Sequence, residues 1–239
     1  MRSFFRRCRL DYINMRYIFY LPLLVTMVFA PFIVWTTMIR AWQPGEALLA
    51  LKRAIEFIEI LVPMPTIFWS VAIFDKYFRT GVKESMLIHS VNKSCVSQVI
   101  ANLLLHGVAS GFLYWVLYKF YPVAENVMGE WTKGMAQVFF LNALAYAATF
   151  VFRHNIYGFM VSFLYYMSYR FLGLTGFWAK FTVFCGGNLY GVDFGPQKVI
   201  RTGFTYGLVL LAIGYAANRI YTRKRGNLQT LIAKIKGVR

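Results

Sequence analysis

"DKYFRTGVKESMLIHSVNKS", residues 75–94, is a polar insert between two apolar runs, "IEILVPMPTIFWSVAIF" at 58–74 and "VIANLLLHGVASGFLYWVLY" at 99–118. The insert carries Lys76, Arg79, Lys83 and Lys93 against Asp75 and Glu84, together with His89. Each flank belongs to a stretch close to the ~20 apolar residues that a helix needs to cross a ~30 Å hydrocarbon layer. The insert therefore joins two membrane spans, and it is either a solvated loop or a contact surface for a partner.

Working outward, six stretches reach spanning length: about 17–39, 54–74, 96–118, 134–152, 156–174 and 203–221. Backbone polar groups in lipid must find partners within their own segment, so each span is expected to be a helix. Composition agrees. Hydrophobic residues make up 59% of the 239, and aromatic residues 19%, against roughly 45–50% apolar in soluble domains. A core of this size cannot absorb so much apolar surface, so the excess faces lipid. The expected fold is an all-α integral membrane protein with residues 1–239 forming one membrane domain.

The formal net charge is +17. In a soluble protein that would point to nucleic acid. Here the cations flank spans and hold them in place, so no nucleic-acid partner is expected. With the N-terminus inside, the inner segments hold 17 Lys and Arg and the outer ones eight. That bias predicts a multi-pass protein of the cell membrane with both termini cytoplasmic. The opening "MRSFFRRCRLDYINMR" is basic, but the apolar run after it exceeds a signal-peptide core and lacks a small-residue cleavage site. It is expected to remain as the first span. Cys8 and Cys95 fall on the reducing side and Cys185 lies alone outside, so no intrachain disulfide is expected.

Near the N-terminus, Phe4, Phe5 and Cys8 alternate with Arg2, Arg6, Arg7 and Arg9, as in an amphipathic helix lying in the headgroup region. Leu228, Leu231, Ile232 and Ile235 form a second stripe near the C-terminus. Both suit contact with the lipid bilayer. Between the fifth and sixth spans, "TGFWAKFTVFCGGNLYGVDFGPQ" (175–197) is too broken for a span and too apolar for a free loop. It reads as short, broken helices dipping into the outer leaflet.

Motifs for chemistry are missing. The sequence has no G-x-x-x-x-G-K-[ST], H-E-x-x-H or G-x-S-x-G, so no ATP cradle, zinc hydrolase or serine hydrolase is read from it. His89, His106 and His154 lie in separate segments, which does not suit a metal site; His106 reads as a packing residue. Glu56 and Glu59 stand one turn apart near the outer end of the second span. Ionisable groups in spans are functional candidates by default, so this pair is a candidate substrate pathway; the alternative is pairing with Lys52 or Arg53 at the headgroups. Pro63 and Pro65 should break or bend the same span.

Within the insert, Val82, Met86 and Leu87 stand at i, i+4 and i+5 after Gly81, with Lys83, Glu84 and Ser85 between them. This is a short helix with one apolar face. An acid, a glycine, then a glutamate followed by hydrophobics, as in Asp75…Gly81-Val82-Lys83-Glu84-Ser85-Met86-Leu87, resembles the membrane subunits of ABC-2 type transporters, although Val82 stands where that pattern often has Thr. Six spans, an N-terminal amphipathic helix and a broken apolar segment before the last span are similar to that family too.

The resemblance implies a permease subunit of an ATP-binding cassette exporter. It implies a second permease subunit, identical or related, and separate ATPase subunits that bind ATP and magnesium; this chain itself would hold no cofactor and no catalytic residues. Gly81 to Leu87 would form the coupling helix seated in a groove of the ATPase. The substrate would be amphiphilic, such as a peptide, a lipid-linked molecule or a drug. Rival readings are a membrane-embedded enzyme of lipid metabolism, which the scattered acids disfavour, and a non-transporting accessory or immunity protein.

Overall fold

The computed structural model describes residues 17–40, 47–75, 91–120, 127–168, 183–184 and 196–237. Every regular element among them is a helix. Five are long and apolar enough to cross a membrane: Tyr17–Thr37, Ala50–Asp75, Cys95–Lys119, Val127–Phe152 and Gln197–Ile220. They match five of the six expected spans. The remaining one, 156–174, meets the described residues in a helix of only 13 residues, Asn155–Met167, about 20 Å at ~1.5 Å per residue. The N-terminal amphipathic stretch and the insert with Gly81, Val82, Lys83, Glu84, Ser85, Met86 and Leu87 lie outside the described residues.

Proline shapes the first two spans. Helix α1 (Tyr17–Leu24) runs into α2 (Ala30–Arg40) through a π-helical turn, Val25–Phe29. In that turn the Ala30 N–H donates to the Val25 carbonyl. The wider turn falls just before Pro31, which has no N–H to give to the Met27 carbonyl, and a π-bulge is one way to accommodate that loss. In the second span, α3 (Ala47–Leu61) closes on a Val62 N–H to Ile58 carbonyl bond of 2.9 Å. Helix α4 (Pro63–Asp75) then restarts on a proline, a residue suited to the first turn. The expected break at Pro63 and Pro65 is present.

Helix α5 (Val91–Phe120) and helix α6 (Val127–Phe152) are unbroken. Helix α7 (Asn155–Met167) follows α6 after a turn of two residues. Arg153 takes φ 60° and the His154 N–H reaches the Thr149 carbonyl at 3.1 Å, the six-to-one bond of a Schellman end. His154 then caps α7, its Nδ1 accepting the Ile156 N–H at 3.2 Å. So short a turn forces α6 and α7 to lie side by side. Gly158 permits it: a Cβ there would stand 2.7 Å from the Ala145 carbonyl oxygen. Helix α8 (Pro196–Gly237) is 42 residues long and continues well past its span.

Helix α6 is the pillar of the bundle. Of its apolar window 78% is buried, against 22% for the first and last spans. It packs against α4, α5, α7 and, most extensively, α8. The seam with α8 is built on glycine. A Cβ on Gly203 would meet the Ala136 backbone oxygen at 3.0 Å, one on Gly207 the Phe139 ring at 2.6 Å, and one on Gly214 the Tyr146 ring at 2.5 Å. Small residues spaced by four and seven let two helices touch backbone to backbone, the usual mode of association where lipid offers no hydrophobic drive.

The span ends sort into two faces. Phe19, Asp75, Cys95, Phe150 and Ala217 gather at one: Trp69 donates to the Phe19 carbonyl at 2.9 Å, Asn155 donates to Asp75 at 2.6 Å, and Cys95 sits in a cluster with Phe74 and Phe150. The opposite face holds Leu117, Val127 and Ala50. The bundle is apolar outside: Leu104, Val108, Phe112 and Trp115 of α5, Leu208 and Val209 of α8, and Val28 and Phe32 of the first span are all exposed. Polar side chains are buried within. That inversion marks a multi-pass membrane protein.

A test follows from the glycine seam. Gly203→Val should cost roughly 1–3 kcal/mol of stability by overpacking against the Ala136 backbone. Ala216→Val, at an exposed α8 position, should stay within about 0.5 kcal/mol. Equal melting of the two variants in detergent would contradict the close approach.

Candidate functional site

Helix α5 turns apolar residues outward and a polar row inward. Gln98, Asn102, His106, Ser110 and Tyr114 recur every four residues, each at most 4% exposed. The row extends for about 24 Å at ~1.5 Å per residue, most of the ~30 Å hydrocarbon thickness. Exposed Ile100, Leu104, Val108, Phe112 and Trp115 occupy the other side of the helix. Polar groups in a membrane interior are kept where neighbouring helices satisfy them.

In the middle of the row the partners form a donor chain through three helices. Asn102 Nδ2 donates to Ser70 Oγ at 3.4 Å, and Ser70 donates to Asn142 Oδ1. Asn142 Nδ2 donates to Thr66 Oγ1 at 3.3 Å and to the Val138 carbonyl at 2.8 Å. Thr66 Oγ1 closes the chain on the Pro63 carbonyl at 2.6 Å, beside the break in the second span. Tyr166 of α7 donates to the Ile60 carbonyl at 2.5 Å on the other side of that break. The neighbouring carbonyls of Glu59 and Leu61 have lost their helical donors, because residues 63 and 65 are prolines. Further along, Trp131 Nε1 donates to Ser110 Oγ at 3.2 Å, while Ser110 itself bonds the His106 carbonyl at 2.7 Å. His106 is buried, and its Nδ1 finds no hydrogen-bond partner among the described residues.

The row ends in charge. Lys133 of α6 pairs with Glu59 of α3 and, at 2.6 Å, with Glu130 one turn before it. Glu59 and Lys133 are buried. The Tyr114 ring packs on Gly134, and its hydroxyl lies within electrostatic reach of both carboxylates. Glu130 also stands in the first turn of α6, where the helix dipole favours an anion. Two carboxylates share one ammonium, so the cluster carries an excess negative charge when all three are ionised.

This geometry separates the two expected pathway acids. Glu59 is buried and reaches across to another helix, whereas Glu56 is exposed, as are Lys52 and Arg53. Residues three apart differ by about 60° around a helix, and the edge of the buried face passes between them. Glu59 pairs with Lys133 of α6, a partner 74 positions away in the sequence. The α5 row carries little sequence signal because its members are mostly uncharged. The signal was a polar residue at every fourth position of an apolar run.

Part of the broken segment 175–197 is described. Val183 and Phe184 are buried at mid-depth: Gln137 donates to the Val183 carbonyl at 3.2 Å, the Val183 N–H reaches Tyr165 Oη at 3.2 Å, and Phe184 meets the Tyr166 ring edge-on. Irregular backbone at this depth is covered by protein, as it must be. Among the described residues no group of three or more His, Cys, Asp or Glu is placed to hold a metal.

Lys133→Met should leave the buried Glu59 carboxylate and the half-buried Glu130 carboxylate without their cation and destabilise the protein by about 3–5 kcal/mol. Combining it with Glu59→Gln should restore part of the loss. A Lys133→Met protein that melts like the parent would mean that the three ions do not meet.

No protein-family model, curated protein or solved structure matches this chain.

Proposed function

We propose that the chain is the membrane-spanning permease subunit of an ATP-binding cassette exporter, moving an amphiphilic substrate across the cell membrane with ATP hydrolysed by separate ATPase subunits. The observation that carries this proposal is the polar row of α5, buried across most of the bilayer thickness and ending in the Glu59–Lys133–Glu130 cluster. Polar and ionisable groups inside a membrane bundle commonly mark a translocation path. The excess negative charge of the cluster favours an amine or other cation, so the substrate is a peptide, lipid-linked molecule or drug bearing one. Two permease subunits, identical or related, would pair to complete the path.

The resemblance of the 75–94 insert to a coupling helix supplies the second support. The insert leaves α4 and enters α5 on the same face as the Arg153 turn and the end of the last span. On the 17-to-8 bias of Lys and Arg that face is cytoplasmic. Closure of the ATPase dimer would be passed from Gly81–Leu87 to α4 and α5 as movement of packed helices. Glu59 would serve near the outer end of the path, and Glu56 on the lipid or headgroup side of the same helix.

Two measurements test this. Met86→Asp with Leu87→Asp should lower co-purification of an ATPase more than tenfold, since burying each of these side chains is worth about 1.5–3 kcal/mol. Asn102→Leu should depress substrate-stimulated transport in liposomes without affecting that assembly. An unaltered complex from the first variant would overturn the proposal. Orientation is read separately: with Cys185 replaced by Ser, an impermeant thiol reagent applied to intact cells should label Lys119→Cys and spare Arg153→Cys, both at exposed positions. Cys95 cannot serve, because it is buried in the core.

A further inference from the structure

A groove of about 470 Å³ runs along the outside of the bundle between α5 and α8, lined by Val96, Ser97, Ile100, Leu208, Leu211, Ala212 and Tyr215. Ile100, Leu208 and Tyr215 are exposed, so the groove opens towards lipid. Its α8 wall, Leu208 to Tyr215, spans about 10 Å at ~1.5 Å per residue. It ends close to Ile220, the last residue of the span. The groove therefore lies within one leaflet, half of a ~30 Å hydrocarbon layer, on the face shared by Asp75 and the Arg153 turn.

Both walls lead into positive charge. On α8 the row Leu208, Leu211, Ala212, Tyr215 continues at helical spacing to Arg219, which is exposed, and then to position 223, also arginine. On α5 the row Ile100, Ser97, Val96 continues one turn back to position 93, a lysine. An apolar slot one leaflet deep, with cations at its headgroup end, matches an amphiphile with an acyl chain and an anionic head. We infer that this groove binds one anionic phospholipid, its chain between α5 and α8 and its phosphate at the Arg219 end. A zwitterionic lipid offers the same chain without net charge to complement these cations, and so fits less well.

Native mass spectrometry of the full chain, purified in detergent and offered phosphatidylglycerol and phosphatidylcholine of matched chains, tests this. Phosphatidylglycerol adducts should predominate. Arg219→Gln with Arg223→Gln should lower them by at least about tenfold, since each cation near an anionic headgroup contributes about fivefold. Ala212→Trp fills the groove from an exposed position and should abolish the adducts with the melting temperature retained; Leu208→Trp is the companion variant if it does not fold. Equal retention of the two lipids, or adducts indifferent to both tryptophan variants, overturns the proposal. A change of oligomeric mass in Ala212→Trp without loss of adducts assigns the groove to a second copy and also overturns it. So does a disulfide between Cys8 and Leu208→Cys, which assigns the groove to the chain's own N-terminal segment.

Discussion

The close approach of α8 to α6 is the constraint on which this bundle depends. Gly203, Gly207 and Gly214 let the two helices touch without side chains between them. With α8 that near, α6 is enclosed by four neighbours and its polar residues have nowhere to face but inward. Lys133, Gln137 and Asn142 are buried, and each meets a partner on another segment: Glu59, Val183 and Thr66. Without those partners the groups would face hydrocarbon with no water to solvate them, at a cost of several kcal/mol each for the charged ones.

The spans follow the same economy of polar groups at the level of the backbone. Pro31 is accompanied by a π-turn, and Pro63 and Pro65 by a helix restart with Tyr166 and Thr66 bonding carbonyls on either side of the break. A proline in lipid leaves carbonyls without their donors, and here side chains from packed neighbours gather at the junction. The donor chain from Asn102 to Pro63 thus joins α5 and α6 to the weakest point of the second span. Interhelical bonds of this kind are worth about 0.6–2 kcal/mol each, enough to hold the break in one geometry and few enough to release it.

Much of this was legible in the sequence. Apolar length alone located five spans, because a ~30 Å layer leaves little freedom in helix length. The break at Pro63 was legible because proline chemistry is local. Burial of Glu59 but not Glu56 was not, since it depends on which side of α3 meets Lys133, a residue 74 positions further along the chain on α6. The polar row of α5 is present in the sequence as a period of four, but its uncharged members match no motif and its burial depends on packing. Irregular chain around Val183 was foreseen as apolar and broken; its insertion between α6 and α7 required knowing that Gln137 and Tyr165 face one another.

Helix α8 has a mechanical consequence. It carries no break between the 24 residues of its span and its end at Gly237. The part beyond Ile220 is about 25 Å long at ~1.5 Å per residue and comparable to the embedded part. A rod held along its glycine stripe acts as a lever with the bilayer surface near its midpoint. Small tilts of the embedded half against α6 are returned at the far end with similar amplitude and opposite direction. Whatever binds the distal half therefore senses the angle of the seam, and can set it, without entering the membrane.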